Sequence, residues 1–176
     1  MKFLQKILFL FLAVLLILIA HIFVINFLPY PFNHLNTVFG LLLFFLTIKP
    51  SRQIIWLAII LGYFLELLSG IPFGIGQASL IISLLIINWF QLNILTNRSA
   101  YIIFISAIIG MIFYRALFFT LLIIHNYFFN SSLLPGKEVF VDIAWEVLFS
   151  ALEVFILYFV YSRLTKTSRK NFRISY

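Results

Sequence analysis

Ten of the twelve basic residues fall on one side of a membrane when the chain is divided into six apolar spans, and this split constrains the fold most. The spans are Ile7–Leu28, Leu35–Ile48, Ile54–Leu68, Ile71–Phe90, Ala100–Ile124 and Val139–Tyr161. Lys2 and Lys6 precede the first span, Lys49 and Arg52 follow the second, and Arg98 follows the fourth. Arg163, Lys166, Arg169, Lys170 and Arg173 follow the sixth. The alternate loops hold only Lys137, and Arg115 lies inside the fifth span. Short basic loops stay cytoplasmic, so both termini are predicted on the cytoplasmic side. Residues 1–176 then form a single six-helix transmembrane domain, all-α and polytopic, with a basic cytoplasmic tail over residues 162–176.

A soluble fold is excluded by composition. With 64% hydrophobic and 10% charged residues, the surface of a water-soluble domain would be one apolar patch. The formal charge of +7 is spread over loops and a tail, so it signals topology and no nucleic-acid partner. The tail is also placed to meet anionic lipid headgroups or an acidic cytoplasmic partner. Cysteine is absent, and His21, His34 and His125 show no metal-ligand spacing, so no metal or cofactor is expected. Residues 1–28 have a positive start, but the 22-residue apolar run is too long for a cleaved signal and ends without a small-x-small site. A retained first span is predicted.

Helices are the open-ended way to satisfy backbone polar groups in lipid, and the ten-residue alternation of a membrane barrel is missing. The second and third spans are short enough to be re-entrant. That arrangement would bury Lys49 and Arg52 at about 3 kcal/mol each, so two short crossings are preferred. Tyr30, Trp89, Tyr101, Tyr127 and Tyr161 fit an interfacial belt. Ser79/Ser83 and Ser106/Gly110 have the spacing of close helix packing. No internal repeat is visible, which argues against an inverted-repeat transporter.

Five acidic or basic residues besides His21 fall within or at the ends of spans. Glu66 is 12 residues past the start of the third span and Arg115 is 15 residues into the fifth. At 1.5 Å per residue they lie ~18 and ~22 Å across, so an ion pair is expected between them. Asp142, Glu146 and Glu153 share one face of the sixth span, and Glu146 also reaches the depth of Arg115. Four acids thus compete for one base, leaving at least one to be protonated, solvated near the outer surface or paired with another subunit. Either these charges hold the bundle together, or they form a proton or cation path or a polar docking groove for a partner. His21 is expected to be a neutral, packed histidine.

The stretch Ser69-Gly70-Ile71-Pro72-Phe73-Gly74-Ile75-Gly76 is the most distinctive loop. Its glycines permit unusual backbone conformations and Pro72 suits a helix start, so a tight outer hairpin is expected, with a re-entrant, partner-facing turn as the alternative. No H-E-x-x-H, G-x-S-x-G or paired aspartates occur, and Ser69 has no evident base, so no enzyme is predicted.

From Lys49-Pro50-Ser51-Arg52 through Gly62-Tyr63-Phe64-Leu65-Glu66-Leu67-Leu68-Ser69-Gly70 to Gly74, the chain resembles the rod shape-determining protein MreD family. The matching positions are Pro50, Arg52, Gly62, Glu66, Leu67, Leu68, Ser69, Gly70 and Gly74, about a seventh of the chain counting the intervening residues. Size, six spans and the Leu28-Pro29-Tyr30-Pro31 turn are similar throughout. The family more often has Asp where this chain has Glu66, and Asp142, Glu146 and Glu153 make the sixth span more acidic than usual. The resemblance implies a non-enzymatic scaffold of the bacterial cell-elongation (rod shape, peptidoglycan synthesis) machinery. Implied partners are an MreC-like periplasmic protein, an actin-like filament and peptidoglycan synthases. It also implies a fold similar to the substrate-binding subunits of energy-coupling-factor transporters. The alternative function is such a subunit of a small-molecule (vitamin-type) importer, for which Glu66, Arg115, Glu146 and His21 could supply the converging polar groups of a pocket.

Overall fold

The computed structural model describes residues 2–48, 52–70, 72–93, 100–129 and 139–173. Among them are six α-helices and one short 3-10 turn: α1 (Lys2–Phe27), the turn (Phe32–His34), α2 (Thr37–Ile48), α3 (Arg52–Ser69), α4 (Ile75–Asn93), α5 (Ala100–Phe129) and α6 (Val139–Arg173). Three stretches are long and apolar enough to cross a membrane: Ile75–Asn93, Ala100–Phe129 and Val139–Thr165. Val14–Phe27, Thr37–Ile48 and Gln53–Ser69 are shorter apolar helices.

The ends of the helices follow from local chemistry. Pro29 disfavours helical backbone at Leu28, and α1 stops at Phe27. Asn36 caps α2: its side-chain oxygen accepts the Phe39 N–H at 3.2 Å. The fourth helix differs from expectation, beginning at Ile75 with Pro72, Phe73 and Gly74 in the turn before it. Gly70 (φ 65°) and Gly74 (φ 94°) are in the left-handed region, which a right-handed helix cannot include. Pro72 therefore does not open the helix, and Ile71 lies outside the described residues. The fifth and sixth helices run past Ile124 and Tyr161, so Asn126–Phe129 belong to α5 and the basic tail is helical through Arg173.

The short α2 is the axis of the bundle and packs against all five other helices. Val38, Phe39, Leu42, Leu43 and Leu46 are fully or almost fully buried and share one broad face of the helix, while Phe45, outside that face, is exposed. Small residues let the neighbours close in. A methyl group at Gly110 of α5 would lie 3.0 Å from Leu43 of α2 and 3.1 Å from Ile87 of α4. Ser79, Ser83 and Ser106 are buried, and each donates its hydroxyl to a carbonyl of its own helix at 2.8–2.9 Å. These serines serve packing, as their spacing predicts. The outside of the bundle is apolar: Leu16, Phe23, Trp56, Ile112 and Ile156 are exposed. Tyr30, Trp89, Tyr101 and Tyr127 are exposed at or near helix ends, and Tyr161 is exposed near the end of the apolar stretch Val139–Thr165 of α6, the positions of an aromatic belt.

Candidate functional site

A cavity of about 380 Å³ opens among α1, the turn after it, α3, α4, α5 and α6, at the end predicted to face outward. Glu66, Ser69 and Gly62 reach it from α3, Tyr114 and Arg115 from α5, Glu146 from α6, His21 from α1, and Asn33, His34 and Asn36 from the turn region. Glu66, Arg115 and Glu146 thus line one cavity.

Their pairing differs from the sequence-based expectation. Glu66 does not bind Arg115. One Glu66 oxygen (Oε2) accepts the Gly74 N–H at 2.9 Å and the other (Oε1) accepts the Gln77 N–H at 2.8 Å. The carboxylate, only 4% exposed, therefore caps the first turn of α4, where unpaired N–H groups and the positive end of the helix dipole favour an anion. The α3–α4 hairpin is fixed further by the Gln77 amide, which donates to the Ile59 carbonyl at 3.1 Å. Gly62 makes room for this residue, since a methyl group there would meet Gln77 side-chain carbon at 3.1 Å and its Cα at 3.3 Å. Ser69 donates its hydroxyl to the Glu66 carbonyl at 3.3 Å.

Arg115 pairs with Glu146. Its Nε and one Nη both donate to Glu146 Oε2. The Asn36 amide donates to Glu146 Oε1 at 2.9 Å, and the Asn36 backbone N–H donates to Ser150 Oγ at 3.0 Å. One residue thus caps α2 and ties it to α6 and, through Glu146, to α5. The guanidinium also lies over the rings of Tyr114 and Phe118, 5.7 and 5.6 Å from their centroids. Depth alone could not choose between the two acids; the direction each carboxylate faces around its helix decided it.

The acidic face of α6 turns inward. Asp142 sits at the rim, 3.4 Å from His34 Nε2, with both side chains partly exposed. Glu146 is buried in the site, and Glu153 lies below it against Gly40 of α2, where its carboxylate fills the space a side chain at Gly40 would need. Glu153 Oε2 has no hydrogen-bond partner among the described residues. Asp142, Glu146 and Glu153 therefore form no outward docking groove. Pro50 lies outside the described residues, and for Arg52, which opens α3, only the backbone is described. Among the described residues, no group of three or more His, Asp or Glu is gathered as metal ligands.

Sequence reasoning missed Asn33, Asn36, Tyr114 and Gln77. Asn36 carried a usable signal, because Asn immediately before an apolar run is a helix-start mark. Gln77 carried none beyond being a lone amide in an apolar stretch. No family model, curated protein or solved structure matches the chain.

Proposed function

We propose that the chain is a non-enzymatic membrane scaffold of the bacterial cell-elongation machinery. It crosses the inner membrane six times with both termini in the cytoplasm, and it acts with an MreC-like periplasmic protein. The observation that carries this reading is the construction of the hairpin between α3 and α4. Gly62, Glu66, Ser69, Gly70 and Gly74, which carry the MreD resemblance, are joined there in one small unit. Glu66 caps the helix, Gly62 admits Gln77, Ser69 bonds to the Glu66 carbonyl, and the two other glycines take the left-handed turns. The unit holds Leu67, Leu68 and Phe73 exposed at the outer end of the bundle, an apolar surface suited to another membrane protein. In a rod-shaped host, depletion is expected to give wide or round cells, and Gly70→Val, which forces a β-branched residue to φ 65°, is expected to reproduce the defect. Normal shape after depletion would overturn the scaffold.

Topology has its own test. Reporter fusions at Arg52, Asn97 and the C-terminus are expected to read cytoplasmic, and a fusion at Ser132 external, from the ten-to-one split of loop and tail basic residues. A cytoplasmic signal at Ser132 is incompatible with six crossings.

A second function is favoured by one observation. Glu66, Arg115, Glu146 and His21 line a single cavity, as the substrate-binding subunit of a small-molecule importer requires. That function, and a fold similar to energy-coupling-factor binding subunits, predicts normal cell shape and a growth defect cured by an excess of one nutrient. Copurification separates the two: an MreC-like protein for the scaffold, an ATPase module for the importer.

A further inference from the structure

Glu153 is the acid of α6 that neither the cavity nor its rim employs. It follows Glu146 by seven residues, about 10 Å further along the helix. Its carboxyl occupies the notch at Gly40 of α2, and Oε2 is buried there with no hydrogen-bond partner among the described residues. A buried carboxyl oxygen left in this state calls for an explanation.

No counter-charge faces it. The helix α6 packs against α2, α5 and the turn after α1. In α2 there is no titratable residue. On α5, the Phe104–Phe155 ring contact brings residues 104–111 opposite, and these hold none either. The next groups on α5 are Tyr101 on one side and Tyr114 and Arg115 on the other, and Arg115 is bound to Glu146. The turn supplies His34, which sits at the rim beside Asp142. Along α6 itself, Glu146 lies in one direction and Tyr158, Tyr161 and Arg163 in the other. Arg163 covers the Phe159 ring at 4.7 Å and is about 15 Å along the helix from Glu153. Among the described residues, no group of three or more acids or histidines is gathered as metal ligands, so the chain offers no cation site here. A carboxylate at this position would keep an unanswered charge in apolar surroundings, whereas a carboxylic acid carries none.

We propose that Glu153 is a proton-binding site inside the bundle, and that the bound proton lets α2 close on α6. As an acid, the group offers an O–H to the α2 backbone, which Gly40 leaves uncovered and whose carbonyls keep a lone pair beyond the one used within the helix. Without the proton, two acceptor oxygens and a charge are pressed against the same carbonyls, and the charge reaches water only if the helices part. The proton is thus a clasp whose occupancy follows pH. This device concerns the joint of α2 and α6, and it depends on neither the α3–α4 hairpin of the scaffold nor the cavity of the importer.

The test uses the full chain in lipid nanodiscs, taken from about pH 6 to about pH 10, a span that covers the ionisation of documented buried carboxyls. Infrared spectra of the native chain and of Glu153→Gln are compared at each pH. The native chain is expected to show a carboxylic-acid C=O band at pH 6 that Glu153→Gln lacks, and to lose it as the pH rises. Because the chain has no cysteine, Phe45→Cys and Ile156→Cys, at exposed sites on α2 and α6, place two spin labels without competition. Their separation is expected to lengthen by about 2 Å, the scale of a helix shift, over the pH interval in which the band is lost. In Glu153→Gln, which keeps every histidine and the Arg115–Glu146 pair, the separation is expected to stay constant. The proposal is overturned if the band is missing at pH 6, if it persists to pH 10, or if it is lost with no change in separation. It is equally overturned if Glu153→Gln shows the same change as the native chain. Should Glu153→Gln fail to fold, Glu153→Met, uncharged and of similar length, supplies the reference.

Discussion

Arg115→Leu is expected to destabilise the folded bundle by about 3–5 kcal/mol, the range for breaking one side of a buried ion pair. The reason lies with the residue left behind. Glu146 is 3% exposed and keeps only the Asn36 amide when the guanidinium is gone, so an uncompensated carboxylate remains inside the helices. Arg115→Leu combined with Glu146→Leu is expected to recover most of the loss, because a buried pair replaced by apolar side chains of similar size is often close to neutral. Glu66→Gln in the Arg115→Leu background is expected to recover nothing, since Glu66 takes its hydrogen bonds from the start of α4. Unfolding temperature and monodisperse yield in detergent measure all three. Rescue by Glu66→Gln, without rescue by Glu146→Leu, would make Glu66 the partner of Arg115.

What the sequence made legible was everything governed by one dimension. Helix positions, the burial of small residues at helical spacing and the meeting of Glu66, Arg115 and Glu146 at one cavity all depend on distance along a helix. Composition and the 1.5 Å rise supply that distance. The pairing of Arg115 depends on rotation and on neighbours from other helices, which no spacing rule within one span contains. The same holds for Glu153, whose place on the acidic face of α6 was clear while its burial against Gly40 was not. The start of α4 was misplaced for a related reason. Pro72 is a common first helical residue, but Gly74 at φ 94° and a carboxylate eight residues upstream decide where the helix can begin. Asn33 was passed over because a short loop between spans looks like connection only. Its role as a wall of the cavity emerges once the turn packs against α1 and α6.

Glu66→Ala is expected to destabilise the hairpin by ~2–4 kcal/mol, since it removes two charge-assisted hydrogen bonds and the cap of α4 together. Glu66→Gln is the sharper variant because it keeps the volume. Its carboxamide oxygen can still accept one N–H, from Gly74 or Gln77, but its nitrogen then faces the other N–H as donor to donor. About half of the Glu66→Ala loss is expected, and hydrogen exchange should speed up at residues 74–77 before it does in α2. A global loss of protection, spread evenly over α2 and α5, would show that Glu66 supports the core and does not act as a local cap. The functional consequence separates the hairpin from the bundle. The Arg115→Leu, Glu146→Leu double variant restores folding and leaves the hairpin untouched, so a scaffold that presents Leu67, Leu68 and Phe73 should retain rod shape with it. Glu66→Gln, folded at comparable yield, should still give wide cells, because the α3–α4 turn no longer holds those side chains in place. If both variants keep normal shape at equal membrane levels, the hairpin is not the docking surface, and the scaffold function loses the observation on which it rests.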